Sequence, residues 1–311
     1  MILTRRDMAN LAIGAVTYGA LHAKPNSRFH GVQIGAITYS FRALPSSADG
    51  VLKYLVETGI SSIELMSDVA ENYAGIPKAE RPRPANGGKM TPEQQQLAKQ
   101  ASDNVKKWRT SVSMDKFKAL RKMYNESGVE IAIFKLPVGT GMSDEEVDYI
   151  FNTAEALGAH CITMELPTNL ELTKRAGQFG EKHKIFVGYH NHTQVNESSW
   201  EAALAQSKYN SINLDVGHFT EAICKSPIPF IQQNHGRITS FHLKDKMFKT
   251  NGGGNKPWGM GETPLKDVLQ LMAKEKYKWP ANIELEYDVP KDSTVTAEVS
   301  KCVAYCKEAL G

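Results

Sequence analysis

Short apolar runs alternate with amphipathic helical stretches along most of this chain, and no other feature restricts its fold as much. Strand candidates are Val32–Tyr39, Ser62–Met66, Val129–Leu136, His160–Leu166, Lys184–His190, Ser211–Asp215, Ile238–Leu243 and Asn282–Tyr287. Helix candidates fill the gaps: Asp49–Glu57, Ser113–Asn125, Asp144–Leu157, Leu170–Phe179, Trp200–Gln206, Pro229–Gln233, Pro264–Ala273 and Ala297–Leu310. Within Asp144–Leu157, the side chains of Val147, Ile150, Phe151, Ala154 and Leu157 fall on one helical face. Strands each followed by a helix predict a parallel sheet with crossover helices. Eight such units make the α/β class specific: they close a (β/α)8 TIM barrel. The competing architecture is an open, doubly wound sheet. No Gly-x-Gly-x-x-Gly follows the first strand and the eighth strand lies near the end, so the barrel is preferred.

Two segments stand outside the pattern. Residues 1–23 begin Met-Ile-Leu-Thr-Arg-Arg and continue through a mildly apolar stretch to Ala23, which reads as a secretory signal. The paired Arg5-Arg6 resembles a twin-arginine export signal and predicts a periplasmic protein whose mature barrel spans 24–311. The second segment, Ser67–Thr110, follows the second strand and is polar, with Arg81-Pro-Arg-Pro84 and Asn86-Gly-Gly-Lys89 as breakers. It is expected to be an irregular insertion, a lid over the mouth or a surface excursion, because it leaves the C-terminal end of a strand.

Composition excludes several classes. The 37 basic and 34 acidic residues give a net charge of +3, which provides no electrostatic footprint for nucleic acid. No apolar stretch reaches the roughly 20 residues of a spanning helix. The four cysteines are too few for a disulfide scaffold, lack a Cys-x-x-Cys, and are expected to be buried small hydrophobes. The sequence is silent on oligomeric state, and a homo-oligomer is left open.

Strands buried on both sides should read apolar, so charged residues at their ends call for an explanation. Here they accumulate: Glu64, Glu165, His190 and His192, Asp215 and His218, His242 and Lys244, Glu284 and Glu286. Each alone has a plain structural reading, Glu64 as a partner for a rim lysine and Lys244 as a partner for Asp245 or Asp288. Together they project toward one mouth, where several carboxylates would repel one another without a cation between them. Carboxylate and imidazole donors without thiolates suit Mn²⁺, Mg²⁺, Co²⁺ or Zn²⁺.

The set Asp215-x-x-His218, Phe241-His242-Leu243-Lys244-Asp245 and Glu284-Leu285-Glu286-Tyr287-Asp288 resembles the xylose isomerase-like TIM-barrel superfamily. This is the sugar phosphate isomerase/epimerase group, related to inosose dehydratase and tagatose 3-epimerase. Gly259-Met-Gly-Glu-Thr-Pro264 is similar to its Gly-x-Gly loop. The resemblance implies a divalent metal held by Glu165, Asp215, His242 and Glu286. Glu286 is preferred over Glu284 as nearer the strand's C-terminal end. Many relatives carry a glutamate on the fifth strand where this chain has His190-Asn191-His192, so Glu165 or His190 completes the ligand set.

The resemblance further implies proton abstraction next to a sugar carbonyl through an enediolate, with Glu165, Glu286, His190 and His192 as catalytic candidates. His218, Lys244, Glu64 and Trp258 are the substrate-contact candidates, with His218 alternatively orienting Asp215, and with Trp258 and Tyr39 either stacking on a sugar face or simply packed. The expected activity is isomerisation or epimerisation of an unphosphorylated sugar or cyclic polyol, since sugar phosphates are mainly cytoplasmic. The alternatives are a lyase or dehydratase of a keto-sugar or keto-glycoside, to which His190-x-His192 points, and a non-catalytic sugar-binding protein. An endonuclease IV-like repair enzyme shares the barrel but is disfavoured by the near-neutral charge.

Overall fold

A computed structural model describes residues 24–78 and 89–311. The signal read at 1–23 and most of the breaker motifs at 81–89 lie outside the described residues. The parallel strands are β1 (Val32–Ile37), β2 (Ser62–Met66), β3 (Glu130–Lys135), β4 (Cys161–Glu165), β5 (Phe186–His190), β6 (Asn210–Asp215), β7 (Ile238–Leu243) and β8 (Ala281–Ile283). Each pairs with the next, and β8 pairs back onto β1 through Ala281↔Ile34, which closes the barrel. A two-residue antiparallel strand, Arg28–Phe29, folds onto the start of β1. Its turn, His30-Gly31, takes positive φ at both positions (45° and 84°), the geometry that a two-residue hairpin requires. Ser27, Gln33 and Ser61 then bond to one another at the barrel end opposite the mouth.

Helices α1 (Ala48–Thr58), α4 (Asp115–Glu126), α5 (Asp144–Leu157), α6 (Leu170–His183), α7 (Glu201–Gln206), α9 (Ile228–Asn234), α10 (Leu265–Glu275) and α11 (Val295–Leu310) surround the barrel. The remaining helices are α2 (Ser67–Ala74), α3 (Pro92–Arg109) and α8 (Val216–Ile223). The core lies between strands and helices, where Leu55, Phe117, Phe151, Val268 and Val299 are fully buried. Start and stop signals act where expected: Ser47 caps α1 by accepting from Gly50 N–H, and Gly59 ends it in the left-handed conformation.

The insertion differs from the irregular segment expected. It is helical on both sides of residues 79–88, because α2 begins directly at the end of β2 and α3 opens with a Thr91/Gln94 capping box. The carboxylate of Glu71 on α2 accepts from Arg109 Nε (2.8 Å) and Nη2 (3.1 Å) and from Tyr149 Oη (3.0 Å). That network fixes the end of α3 to the first turns of α5, on the mouth side. All four cysteines are free; Cys161, Cys302 and Cys306 are buried and Cys224 is half-buried. Among the described residues no helix is long and apolar enough to cross a membrane.

Candidate active site

Barrel interiors are usually filled by branched apolar side chains. Toward the mouth, this one is filled by a polar network. His190 ends β5, Asp215 ends β6, His242 is the penultimate residue of β7, and Glu284 follows β8 directly. Their ligand atoms lie within 4.8 Å of one another and all four residues are buried.

Each side chain is held from outside the group. His190 Nδ1 lies 2.8 Å from Asn213 Oδ1, and Asn213 Nδ2 donates to Ser240 Oγ at 2.5 Å. Burial, then the charges of His242 and Lys135, push His190 down to about 3, so the ring is neutral. With its hydrogen on Nδ1, its lone pair is on Nε2. The backbone of Asp215 is clamped by Asn191, which accepts its N–H (2.9 Å) and donates to its carbonyl (3.1 Å). Asp215 also caps α8, where Oδ1 accepts the His218 N–H at 2.7 Å. Its Oδ2 has no hydrogen-bond partner among the described residues and forms an ion pair with Lys244 Nζ at 2.9 Å.

His242 sits between two carboxylates, with Nε2 at 2.7 Å from Glu64 Oε2 and Nδ1 at 2.8 Å from Glu284 Oε2. Burial would lower its pKa, but the two carboxylates raise it to about 10. For Glu64, burial pushes upward and is outweighed by the His242 charge and hydrogen bond, which hold the carboxyl at about 2. Glu284 is driven well below the usual range against its burial by Lys244 and His242.

A line of polar groups crosses the mouth above this cluster. Glu165, ending β4, bonds Lys135 (3.1 Å) and lies 3.0 Å from His192 Nε2. The His192 ring is 4.8 Å from that of His218, whose Nε2 accepts from Lys244 Nζ at 3.2 Å. Lys244 in turn donates to Glu286 at 2.6 Å. The hydrogen bond from His192 drives the Glu165 carboxyl down although burial opposes it, and the same bond raises the imidazole. Burial, then the Lys244 charge, holds His218 at about 2.

The structure therefore gathers Asp215 and His242, adds His190, and contributes Glu284 in place of Glu286. Regular β8 pairing ends at Ile283, one last bond runs from Glu284 N–H to Leu243 O, and the backbone then leaves the sheet toward Ser40. Glu286 consequently stands further out, on Lys244. Glu165 also stands outside the tight group. It forms a second candidate group with His190 and His192, and the two groups share only His190, whose Nδ1 is already engaged. Glu64 does not face the mouth as a substrate contact would; it is fully buried, bonded to His242, Thr163 and Asn282. Trp258 packs edge-on against Tyr305 (5.6 Å), its Nε1 without a partner among the described residues, while Tyr39 is exposed beneath Arg42. Asn213, Asn191, Ser240 and Lys135 escaped sequence reasoning. Period two would have flagged Asn213, which lies two residues before Asp215 on the same strand face.

The donor chemistry fits a divalent cation: two imidazoles and two carboxylates, one of which, Asp215, keeps a buried oxygen that has no hydrogen bond among the described residues and only the Lys244 ion pair. No family model and no curated protein matches this sequence. Solved structures do match. A xylose isomerase domain protein from Planctomyces limnophilus is 13% identical over 89% of this chain and 96% of its own, with a TM-score of 0.59. The fold is xylose isomerase-like. The same xylose isomerase-like barrel occurs in a probable 3-DHS dehydratase from Bacillus anthracis, 16% identical over 87% of this chain and 98% of that one (TM-score 0.60). It also occurs in a 3-keto-D-glucoside 4-epimerase from E. coli, 11% identical over 89% and 99% (TM-score 0.58). At these identities the likeness is one of fold.

Proposed function

We propose that this protein is a metal-dependent sugar isomerase or epimerase that removes the proton beside the carbonyl of an unphosphorylated sugar or of the keto form of a cyclic polyol. The observation that carries the reading is the convergence of His190, Asp215, His242 and Glu284 at the barrel mouth. These four residues would hold the cation, with Glu64 keeping the His242 ring in place from behind. A divalent cation bound there supplies Lewis-acid stabilisation of negative charge developing on substrate oxygen.

The protein's own groups do the rest. Glu286 follows β8 and Glu165 ends β4, four strands apart in a circle of eight, so they stand on opposite walls. Glu286, held by Lys244, is the base that takes the proton. His192, oriented by Glu165 and with a raised pKa, holds a proton to return. Return to the neighbouring carbon, with the hydroxyl proton passing to the old carbonyl oxygen, isomerises; return to the opposite face of the same carbon epimerises. The 3-keto-D-glucoside epimerase shows that this fold is compatible with the second outcome. Elimination is the second reading, in which the same His192 proton goes to a leaving hydroxyl, and a dehydratase also uses this fold.

The test is solvent deuterium exchange, followed by NMR, with Mn²⁺- or Co²⁺-loaded protein and a panel of free sugars, inososes and 3-keto-glycosides. Deuterium beside the carbonyl, lost when the metal is stripped, is the expected result. Product structure then separates isomerisation, epimerisation and elimination. Binding without exchange would overturn the reading in favour of a sugar-binding protein.

A further inference from the structure

Lys244 is a buried lysine with three carboxylate partners. Its ammonium is buried at the centre of the carboxylates, 2.9 Å from Asp215 Oδ2, 2.9 Å from Glu284 Oε2 and 2.6 Å from Glu286 Oε2. Its seat is built in. A Cβ on Gly217 would come within 2.4 Å of Lys244 Cγ and 2.6 Å of its carbonyl oxygen, so the start of α8 closes on the lysine stem only because residue 217 is glycine.

Asp215 has one oxygen to offer. Its Oδ1 is committed to the His218 N–H, so Oδ2 is the atom that either the ammonium or a metal must use. Glu284 is drawn in as well, because its Oε2 serves both His242 and Lys244, although no bond engages its Oε1 among the described residues. Two of the lysine's three carboxylate partners thus belong to the candidate metal group, and the third, Glu286, does not.

We propose that Lys244 is an intramolecular competitor for the divalent cation: its ammonium holds Asp215 Oδ2, the one oxygen that residue has left for a metal, together with Glu284 Oε2, and Glu286 with His218 is the seat that keeps it when the metal takes them. The proposal rests on the metal-dependent reading above. It makes Lys244 a regulator of metal affinity, and it makes Glu286 a residue acting on the metal through Lys244 rather than as a ligand.

The test is calorimetric titration of stripped protein with Mn²⁺ alone, for wild type, Lys244→Met, Glu286→Gln and the double variant. Lys244→Met should bind Mn²⁺ about tenfold or more tightly than wild type. Glu286→Gln should weaken binding several-fold, since the ammonium then has only the neutral His218 nitrogen beside the shared oxygens. In the Lys244→Met background Glu286→Gln should change nothing, and that coupling is the signature of indirect action. If Lys244→Met does not fold by circular dichroism, Lys244→Gln carries the same comparison. Equal or weaker binding by the lysine variant, with wild type binding normally, overturns the proposal and leaves the metal reading standing. Mn²⁺ binding by neither protein overturns both. An equal loss from Glu286→Gln in both backgrounds makes Glu286 a direct ligand and overturns its assignment as the lysine's seat.

Discussion

Asn213 determines which nitrogen of His190 faces the mouth. Its amide donates to Ser240 and accepts from His190 Nδ1, so the imidazole has one tautomer and one orientation. Residues that orient a ligand from behind typically account for 10–100-fold in metal affinity. Asn213→Leu should therefore lower Mn²⁺ affinity by about that factor while the protein still melts cooperatively; calorimetry beside a thermal melt checks both. Unchanged affinity would remove His190 from the ligand set. His242 gives a second prediction. Its pKa is raised from 6.5 to about 10, so its charged contacts stabilise the stripped protein fully below pH 6.5 and are lost as pH rises through the folded value. A ligating imidazole must be neutral, so metal binding should release a proton. Affinity should rise by up to about tenfold per pH unit above neutrality. Titrations in buffers of different ionisation enthalpy would show the proton, and a pH-independent affinity would exclude His242. Asp215 and His242 were legible in the sequence because charged groups ending apolar strands have few structural uses. Glu284 was not, because period two puts it on the same face as Glu286. The choice depends on where β8 pairing stops, a tertiary fact set by Leu243 and Ser40.

At the scale of elements, α3 depends on its anchor more than on its own face. Only Ala101 and Val105 are buried in its length, so little apolar area holds it down. The anchor is the Arg109–Glu71–Tyr149 network, with side-chain exposures of 12% and 5% for the ion pair. Arg109→Ala would leave the Glu71 carboxylate buried with one hydroxyl partner, at a cost of roughly 3 kcal/mol. The expected outcome is a lowered melting temperature and new proteolytic cleavage within the insertion between β2 and β3, with the barrel itself still folded. A variant as stable and protease-resistant as wild type would show that α3 is held elsewhere. The same weak apolar face explains why α3 was read as irregular, although Thr91-Pro-Glu-Gln94 is a capping signature visible in the sequence. Helix α8 was missed for another reason: it starts at Asp215 with no turn between strand and helix. By contrast β2, β7 and α5 were legible residue for residue, because their apolar runs or stripes are set by burial. Lys184, read as the first residue of β5, instead ends α6 in the left-handed conformation (φ 57°), a place where glycine would have given a clear signal.

For the whole molecule, closure of the barrel connects folding to the route that the N-terminus predicts. Strand β1 pairs with β8, so Ile34 finds Ala281 only after almost the whole chain exists. Contacts this distant in sequence are slow to form and leave strand edges open in the meantime. A chain threaded unfolded through a membrane would have to complete that closure on the far side, and acquire its cation there. A twin-arginine route carries the protein already folded, which suits a barrel whose first and last strands meet and whose candidate metal group is assembled from the ends of four strands, β5 to β8. We therefore propose that Arg5 and Arg6 direct export of the folded protein. Lys substitution at both positions should retain the protein, barrel intact, in the cytoplasmic fraction. The natural N-terminal segment fused to a reporter that folds before transport should carry it to the periplasm. Undiminished export of the double-Lys chain would assign it to the unfolded-chain route, and retention of the natural chain would remove the argument for an unphosphorylated substrate that rests on location.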